Sequence, residues 1–369
     1  TLAQEADVEL LEPEAPRRTG AKKEQIDAAA AALASASKPL IWAGGGVISS
    51  EASEALTKLA EHLQAPVVMT AEGKGAISDH HPLSLGALWL RNDTIARKEF
   101  GHDLILAVGT RLVTSQWLDG QQVIQIDVDP EEIGRHYDNT MRVEGDAKLT
   151  MEALLSALAS TAPAEKDRTN EVAAQRVQRS EDIIKVEPQG ELLNAVRKAM
   201  PEDGIVISGM TQLGYYARAH YPVYEPRTFI TSSYSGNLGY AYPTALGAKV
   251  AQPDKAVVCL SGDGGFMFNS QEMSTAVAHN INVVVVVFND NAYGNVKRDQ
   301  MNQFSGRTIG VELHNPDFVK LAEAYGAKGF VANGPAELES TLKDALAMDS
   351  PVLIEVPVGP MPSPFFRPS

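Results

Sequence analysis

Residues 257–294 read VVCLSGDGGFMFNSQEMSTAVAHNINVVVVVFNDNAYG and hold two apolar runs joined by an amphipathic stretch. An apolar strand that leads to Gly262-Asp263-Gly264-Gly265, a helix, and a second apolar strand that ends at Asn289-Asp290 form a β-α-β unit. Parallel strands end at the same edge of their sheet, and open α/β sheets bind ligands at that edge. We therefore expect Asp263 and Asp290 to lie close together.

Two carboxylates beside a glycine-rich turn favour a metal-bridged diphosphate site. Glycines let backbone amides approach an anion, and the N-terminus of the following helix favours negative charge. The carboxylates would repel a bare diphosphate, so a divalent cation that prefers oxygen ligands, Mg²⁺ or Ca²⁺, is needed between them. Aspartate and glycine are also ordinary turn residues, so these residues alone leave a purely structural turn open.

The rest of the chain predicts an α/β fold with two Rossmann-like parallel-sheet domains. Apolar strands alternate with helical patterns over residues 21–160, and the alternation resumes over residues 188–369, which end in a C-terminal tail. A polar, charged stretch at 161–187 reads as the linker between the domains. Residues 1–20 read as a linker from a preceding domain outside this sequence. Asp129-Pro130 has the pattern of a helix start.

Composition argues against several classes of protein. The 369 residues include 47 acidic and 32 basic side chains, and the net charge of −15 opposes nucleic-acid binding. No apolar run reaches the roughly 18 to 20 residues that a membrane span needs. The single cysteine, Cys259, lies in an apolar strand and fits a reducing compartment. We expect a cytoplasmic protein without nucleic-acid or membrane partners.

Several motifs resemble the thiamine-diphosphate enzymes. The segment Gly262-Asp263-Gly264, the helix with Gln271-Glu272-Met273, and the strand that closes at Asn289-Asp290 resemble their diphosphate-binding signature. Residues 236–248, GNLGYAYPTALGA, resemble a glycine-rich stretch of the acetolactate synthase and benzoylformate decarboxylase group. The segments LIWAGGGVISSEASEAL, APVVMTAEGKGAISDHHPLSLG and VIQIDVDPEEIG resemble the central domain of the same group, so the resemblance covers nearly the whole chain.

This resemblance implies thiamine diphosphate and Mg²⁺ as cofactors and assigns site residues by position. Asp263, the side chain of Asp290 and the carbonyl of Ala292 would bind Mg²⁺. Leu238 would be the apolar wedge that bends the cofactor, and the Gly236 carbonyl would meet its aminopyrimidine ring. The remaining cofactor-binding positions would be Thr211, Gln212, Leu213, Gly262, Gly264, Gly265, Tyr293 and Gly294.

The resemblance also implies an activity and partners. We expect an acetolactate synthase-like lyase or carboligase that acts on a 2-oxo acid or a related dicarbonyl, as a homodimer or homotetramer. The family's activating glutamate lies on an N-terminal pyrimidine-binding domain, which would come from the same or another chain, so this chain alone should be inactive. Benzoylformate-type decarboxylation and diketone hydrolysis are alternatives within the family. A non-catalytic module that binds diphosphate or nucleotide for assembly is the alternative outside enzymes.

Some residues depart from the family pattern. Asp290 replaces the second asparagine of the usual pair, and residues 295–299, NVKRD, lack the methionine and tryptophan found near the substrate in acetolactate synthases. Arg298 and Lys297 could face an anionic substrate or lie on a solvated helix face. His80 and His81 have no third ligand at metal spacing, which favours a solvated loop.

Flavin is the less favoured reading of the first glycine cluster. Gly44-Gly45-Gly46 follows a strand but does not complete the G-x-G-x-x-G pattern of dinucleotide-binding proteins. Flavin-binding relatives carry a glycine-methionine-histidine-glycine run near the place of Gly86-Ala87-Leu88-Trp89. We therefore favour a tight strand-to-helix turn over an FAD site.

Overall fold

The computed structural model describes residues 5–12, 17–87, 101–113, 121–160, 167–183 and 186–363. Within these residues the chain forms two six-stranded sheets, in which all the paired strands are parallel. Helices pack against both sheets, which confirms the predicted α/β fold with two Rossmann-like parallel sheets. Among these residues, no helix has the length and apolar content that crossing a membrane requires.

The first sheet has the strand order β3-β2-β1-β4-β5-β6. Its strands are β1 (Pro39–Ala43), β2 (Val67–Met69), β3 (Ser84–Ala87), β4 (Leu104–Val108), β5 (Gln122–Asp127) and β6 (Thr140–Glu144). The helices of this half are α1 (Lys23–Ser35), α2 (Gly45–Ser49), α3 (Ser53–Leu63), α4 (Ala147–Leu158) and α5 (Thr169–Ile183). Strands β1 to β3 follow one another towards one edge of the sheet, and β4 to β6 follow one another towards the other edge. The strand order therefore reverses between β1 and β4.

The second sheet has the strand order β11-β12-β10-β9-β7-β8. Its strands are β7 (Ile205–Ser208), β8 (Phe229–Thr231), β9 (Val257–Gly262), β10 (Val284–Asn289), β11 (Lys328–Val331) and β12 (Val352–Pro357). The helices are α6 (Gln189–Ala199), α7 (Gln212–His220), α8 (Ala241–Ala251), α9 (Asp263–Met267), α10 (Glu272–Ala278), α11 (Gly294–Gln303), α12 (Phe318–Tyr325) and α13 (Pro335–Leu346).

Both faces of the second sheet are covered by hydrophobic core. Along β10, Val284 and Val286 pack into one core cluster, whereas Val285 and Val287 pack into another. A strand with two buried faces reads as a continuous apolar run, because neither set of alternate side chains meets water. The valine run therefore identifies β10 as a central strand, and the carboxyl end of β10 lies between two neighbouring strands, β12 and β9.

The predicted linker contains a helix that packs on the first half of the chain. Val172 of α5 is fully buried in the core of the first sheet. Just before this helix, the buried Arg168 donates a hydrogen bond from Nη1 to the carbonyl oxygen of Pro39, at 2.9 Å. The domain boundaries stay a prediction, and residues 1–4, 13–16, 161–166, 184–185 and 364–369 of the predicted linkers and tail lie outside the described residues.

One expectation about local structure is wrong. The pattern at Asp129 starts a turn rather than a helix: its side chain accepts a hydrogen bond from the Glu131 amide, at 2.9 Å. The chain reaches Gly134 at φ 76° five residues after Asp129, and the Arg142 guanidinium binds carbonyls of the turn.

The histidine loop contacts the second half of the chain. His80 lies with Nε2 3.0 Å from Glu202 Oε1, and its ring stacks on Tyr224 with centroids 3.8 Å apart. The adjacent Asp79 accepts a hydrogen bond from the Val223 amide, at 2.8 Å. The prediction of a solvated loop is therefore incomplete, because this loop also contacts residues of the second half of the chain.

Candidate active site

The candidate site lies at the carboxyl edge of the second sheet. There β7 lies beside β9, and β9 lies beside β10. From β7 the chain runs to β8 at the sheet edge, and then to β9 on the opposite side of β7. The crevice between β7 and β9 is therefore a topological switch point. Asp263 follows β9 directly, and Asp290 follows β10 directly. Parallel pairing brings these two aspartates to one edge, as the sequence predicts.

A cavity of about 200 Å³ opens at this edge. Twelve of the thirteen predicted site residues line it: Thr211, Gln212, Gly236, Leu238, Gly262, Asp263, Gly264, Gly265, Asp290, Ala292, Tyr293 and Gly294. Leu213 is the exception, because its side chain is fully buried in the hydrophobic core beneath α7. The structure thus brings together residues that are up to 83 positions apart along the chain, roughly the span from Thr211 to Gly294.

Asp263 is almost completely buried, with 2% of the residue exposed. Burial raises the pKa of its carboxyl group, while a hydrogen bond from Asn315 and bonds from backbone amides oppose that rise. Asn315 Nδ2 lies 2.6 Å from Asp263 Oδ2 and also donates to Asn289 Oδ1, at 2.9 Å. An amide side chain therefore fixes the orientation of this carboxylate.

Asp290 is half-buried, and its pKa is raised to about 6. Burial is the main cause, and the negative charge of Asp263 adds to it. Gln212 and backbone amides act in the opposite direction, with Gln212 Nε2 3.1 Å from Asp290 Oδ2. Two carboxylates at one sheet edge, one of which disfavours the ionisation of the other, form a donor set suited to a divalent cation.

Glycines keep the space beside these carboxylates open. A Cβ on Gly294 would overlap Asp290 Oδ2 and lie 2.5 Å from Gln212 Nε2. A Cβ on Gly264 would lie 2.6 Å from the ring of Tyr293. Distances below about 3 Å between a carbon and these atoms require a shift of the neighbours. Larger residues at these two positions would therefore displace the side chains that line the cavity.

Sequence reasoning missed part of the cavity wall. The unpredicted lining residues are Met210, Tyr215, Phe288, Asn295, Val296, Val358 and Met361. Val358 and Met361 belong to the segment after β12, whose amide at Val358 donates to the Asn289 carbonyl, at 2.9 Å. Asn295 and Val296 directly follow Gly294, and that adjacency is a signal that could have predicted them.

The glycine cluster of the first sheet serves a close approach of backbones. A Cβ on Gly44 would overlap the carbonyl oxygen of Gly109, and one on Gly46 would lie 2.5 Å from the Gly109 Cα. These glycines follow β1, and Gly109 follows β4, so they let two strand ends meet. The contacts fit the tight turn favoured above, while the FAD alternative remains a prediction, with Leu88 and Trp89 outside the described residues.

The fold and the cavity define an α/β protein with a glycine-lined cavity at the carboxyl edge of a parallel sheet. Residues 26–154 match the family described as thiamine pyrophosphate enzyme, central domain, and residues 209–356 match thiamine pyrophosphate enzyme, C-terminal TPP binding domain. The chain therefore belongs to the thiamine pyrophosphate enzymes, of which it carries the central and C-terminal domains.

Curated relatives agree with this assignment. The chain is 33% identical to the probable acetolactate synthase large subunit of Methanococcus aeolicus, over 91% of this chain and 60% of the relative. It is 35% identical to the acetolactate synthase large subunit of Haemophilus influenzae, over 88% of this chain and 60% of the relative. It is 34% identical to a probable 2-ketoarginine decarboxylase of Pseudomonas aeruginosa, over 90% and 60%. The chain thus spans 60% of the length of these relatives.

Proposed function

We propose that the protein is a thiamine-diphosphate- and Mg²⁺-dependent enzyme of the acetolactate synthase type that makes or breaks C–C bonds of 2-oxo acids. One observation carries the proposal: Asp263 and Asp290 lie at one sheet edge, where burial, and then the charge of Asp263, raise the pKa of Asp290. A divalent cation would neutralise the two carboxylates and so remove their repulsion of a diphosphate.

The donor set fits the metal and the diphosphate. Asp263 and Asp290 would hold Mg²⁺ together with the carbonyl oxygen of Ala292, an all-oxygen set of the kind that Mg²⁺ prefers. Thr211 occupies the N-cap position of α7 without a side-chain capping hydrogen bond, and the first turn of this nine-residue helix opens on the cavity. Gly264, Gly265 and Gly294 provide backbone without side chains where a diphosphate would lie.

When bound, thiamine diphosphate supplies a carbanion that attacks a carbonyl and stores negative charge while a C–C bond changes. This chain's own residues bind and orient the cofactor. The half-buried Leu238 presents an apolar side chain to the cavity, where it would support the bent cofactor, and Gly236 would offer its carbonyl oxygen to the aminopyrimidine. Leu213 would support the site indirectly, because its side chain packs in the hydrophobic core beneath α7.

The substrate class rests on the relatives. Two of those named above are acetolactate synthase large subunits and one is a 2-ketoarginine decarboxylase, at 33 to 35% identity. Similar identities to a synthase and a decarboxylase favour a 2-oxo acid as the substrate and leave both outcomes, carboligation and simple decarboxylation, within the proposal. Residues 295–299 do not carry the methionine and tryptophan expected of acetolactate synthases.

The assembly is proposed on the same basis. A pyrimidine-binding domain with the activating glutamate, from the same or another chain, would complete the site, and the protein would work as a homodimer or homotetramer. The exposed side chains of Phe268, Val296 and Phe304, of which Val296 lines the cavity, are consistent with burial against such a partner. The proposed cytoplasmic location is supported by the buried, free Cys259, which fits a reducing compartment.

Calorimetric titration of thiamine diphosphate tests the proposal. The full-length gene product is titrated with Mg²⁺ present and then with EDTA. We expect saturable binding with Mg²⁺ and its loss with EDTA. Absence of binding in both conditions would contradict the enzyme and leave the non-catalytic assembly module.

A further inference from the structure

Three side chains form a hydrogen-bonded relay that ends on one of the two aspartates. Arg298 Nη1 donates to Gln212 Oε1, at 2.6 Å, and Gln212 Nε2 donates to Asp290 Oδ2, at 3.1 Å. The three residues come from α11, from the start of α7 and from the end of β10. Their meeting point is therefore a product of the tertiary fold.

Arg298 and Asp290 together fix the orientation of the glutamine amide between them. A glutamine amide has an accepting oxygen and a donating nitrogen, whereas a guanidinium only donates and an ionised carboxylate only accepts. Gln212 therefore turns its oxygen to Arg298 and its nitrogen to the carboxylate. Gln212 is 8% exposed, so water competes little for either end. Without the guanidinium, the amide oxygen would lose the donor that holds it, and the amide would be held less firmly against the carboxylate.

The same arginine holds two other parts of the cavity wall. Nη1 also donates to the Met361 carbonyl, at 3.3 Å, and Nη2 donates to Asn295 Oδ1. Met361 and Asn295 both line the cavity. The guanidinium therefore donates its hydrogen bonds to groups of the protein itself. This contact pattern favours neither of the two alternatives from the sequence, in which Arg298 faces an anionic substrate or lies on a solvated helix face.

The other aspartate is anchored differently. Asp263 accepts its side-chain hydrogen bond from Asn315, whose amide nitrogen also faces the oxygens of Asn289 and Asn291. The Asn315 contacts that the structure gives are to Asp263 and to amide oxygens, with no basic side chain among them. The relay with a positive charge thus serves the position at which this chain has an aspartate in place of the family's asparagine.

We propose that Arg298 and Gln212 are positioning residues that hold Asp290 in a cation-binding orientation and so set the divalent-cation affinity of the site. This inference rests on the proposed function, because it concerns the metal of that site. Outer-sphere partners of metal ligands act in this way, and their removal weakens metal binding about tenfold to a hundredfold. Arg298 acts through Gln212 and therefore counts as a positioning residue.

The test is Mn²⁺ binding to the full-length protein at saturating thiamine diphosphate, measured from the free-Mn²⁺ signal in electron paramagnetic resonance. We expect Arg298→Met to weaken Mn²⁺ binding about tenfold to a hundredfold, and Arg298→Lys to restore part of the loss. Lys297→Met is the matched control: this neighbouring cation pairs with Glu312, at 2.7 Å, and its loss should leave the affinity unchanged.

A double-mutant cycle separates positioning from a general structural role. In an Asp290→Asn background, which restores the family's residue, Arg298→Met should change Mn²⁺ affinity less than about twofold, because the charged acceptor is gone. Gln212→Met repeats the test from another element if Arg298→Met does not fold. An unchanged affinity in both single variants, or an equal loss with and without Asp290, would overturn the relay. If the wild-type protein binds no Mn²⁺, the proposed function fails, and the relay falls with it.

Discussion

The two sheets share one architecture but use the glycines at their carboxyl edges in opposite ways. In the first sheet, Gly44 and Gly46 press against the backbone of Gly109, so the glycines close the gap between β1 and β4. In the second, Gly264 and Gly294 border an open cavity, and an added Cβ there would meet the side chains of Tyr293 and Asp290. A glycine cluster after a strand is thus no ligand signature by itself; its neighbours decide its role.

Carboxylates sharpen the contrast. Asp127 ends β5 of the first sheet, and burial raises its pKa, but its side chain caps the turn at Asp129, at 3.0 Å. In the second sheet Asp290 has Asp263 as a charged neighbour, and both line the cavity. Asp127 has Asp129 and Glu132 as acidic neighbours but is satisfied by backbone amides of its own turn, whereas Asp263 and Asp290 line a cavity in which a cation would relieve their repulsion.

The largest effect should come from Asp263→Ala. Removal of one of two charged ligands should weaken Mg²⁺-dependent binding of thiamine diphosphate by at least about a hundredfold and leave the fold intact. The matched change in the first sheet, Asp127→Ala, should leave the binding unchanged. Titration calorimetry measures both, and an equal loss in the two variants would remove the distinction between the sheets.

Glycine replacements should separate stability from binding. Gly44→Ala should destabilise the protein by about 1–3 kcal/mol, because the new methyl group meets rigid backbone, and should leave cofactor affinity unchanged. Gly294→Ala should do the reverse, with about tenfold weaker cofactor binding, since the methyl group displaces Asp290. Thermal unfolding and calorimetry give the two readouts. Loss of binding in Gly44→Ala would show that the first glycine cluster also serves the site.

The pH dependence of metal binding should report Asp290. Its pKa of about 6 predicts that Mg²⁺ affinity rises as the pH increases through 6 and then levels off, because the protonated acid does not bind the cation. Without metal the sign for folding is opposite: the folded state holds the proton more tightly, so this group's contribution to stability falls between pH 3.8 and about 6. Asp290→Asn should remove the part of both dependences that this carboxyl group supplies. A flat affinity profile for the wild-type protein from pH 5 to 7 would contradict this assignment.

The smallest effect should come from Leu238→Ala. Leu238 is half-buried at the cavity, so its truncation should cost little stability and weaken cofactor binding about tenfold or less. Leu106, fully buried in β4, is the control: Leu106→Ala should cost about 2–5 kcal/mol of stability without a change in affinity. If Leu106→Ala alone weakened cofactor binding, the first sheet rather than the second would carry the site.

Much of the fold follows from the sequence because the central strands are continuous apolar runs. The runs at β1, β4 and β10 predict buried parallel strands, and parallel strands with adjacent ends place Asp263 beside Asp290. The motif resemblance then predicts most of the cavity lining. These features depend on local pattern and on one general rule of sheet topology.

The missed features depend on tertiary contacts. Helix α7 contains Gly214 and adjacent aromatic residues, which lower helix propensity, and it is stabilised by burial of Leu213 and Tyr216. Met361 reaches the cavity because the segment that follows β12 is held by hydrogen bonds from Gln189 and Arg298. No local pattern signals such long-range partners.

A crystal structure of the full-length protein with thiamine diphosphate and Mn²⁺ would show directly which carboxylates hold the metal. Anomalous scattering locates the metal without ambiguity. We expect one Mn²⁺ bound by Asp263, Asp290 and the Ala292 carbonyl, with the diphosphate beside Gly264 and Gly294. A metal or diphosphate bound at the carboxyl edge of the first sheet, with the second-sheet carboxylates unliganded, would contradict it.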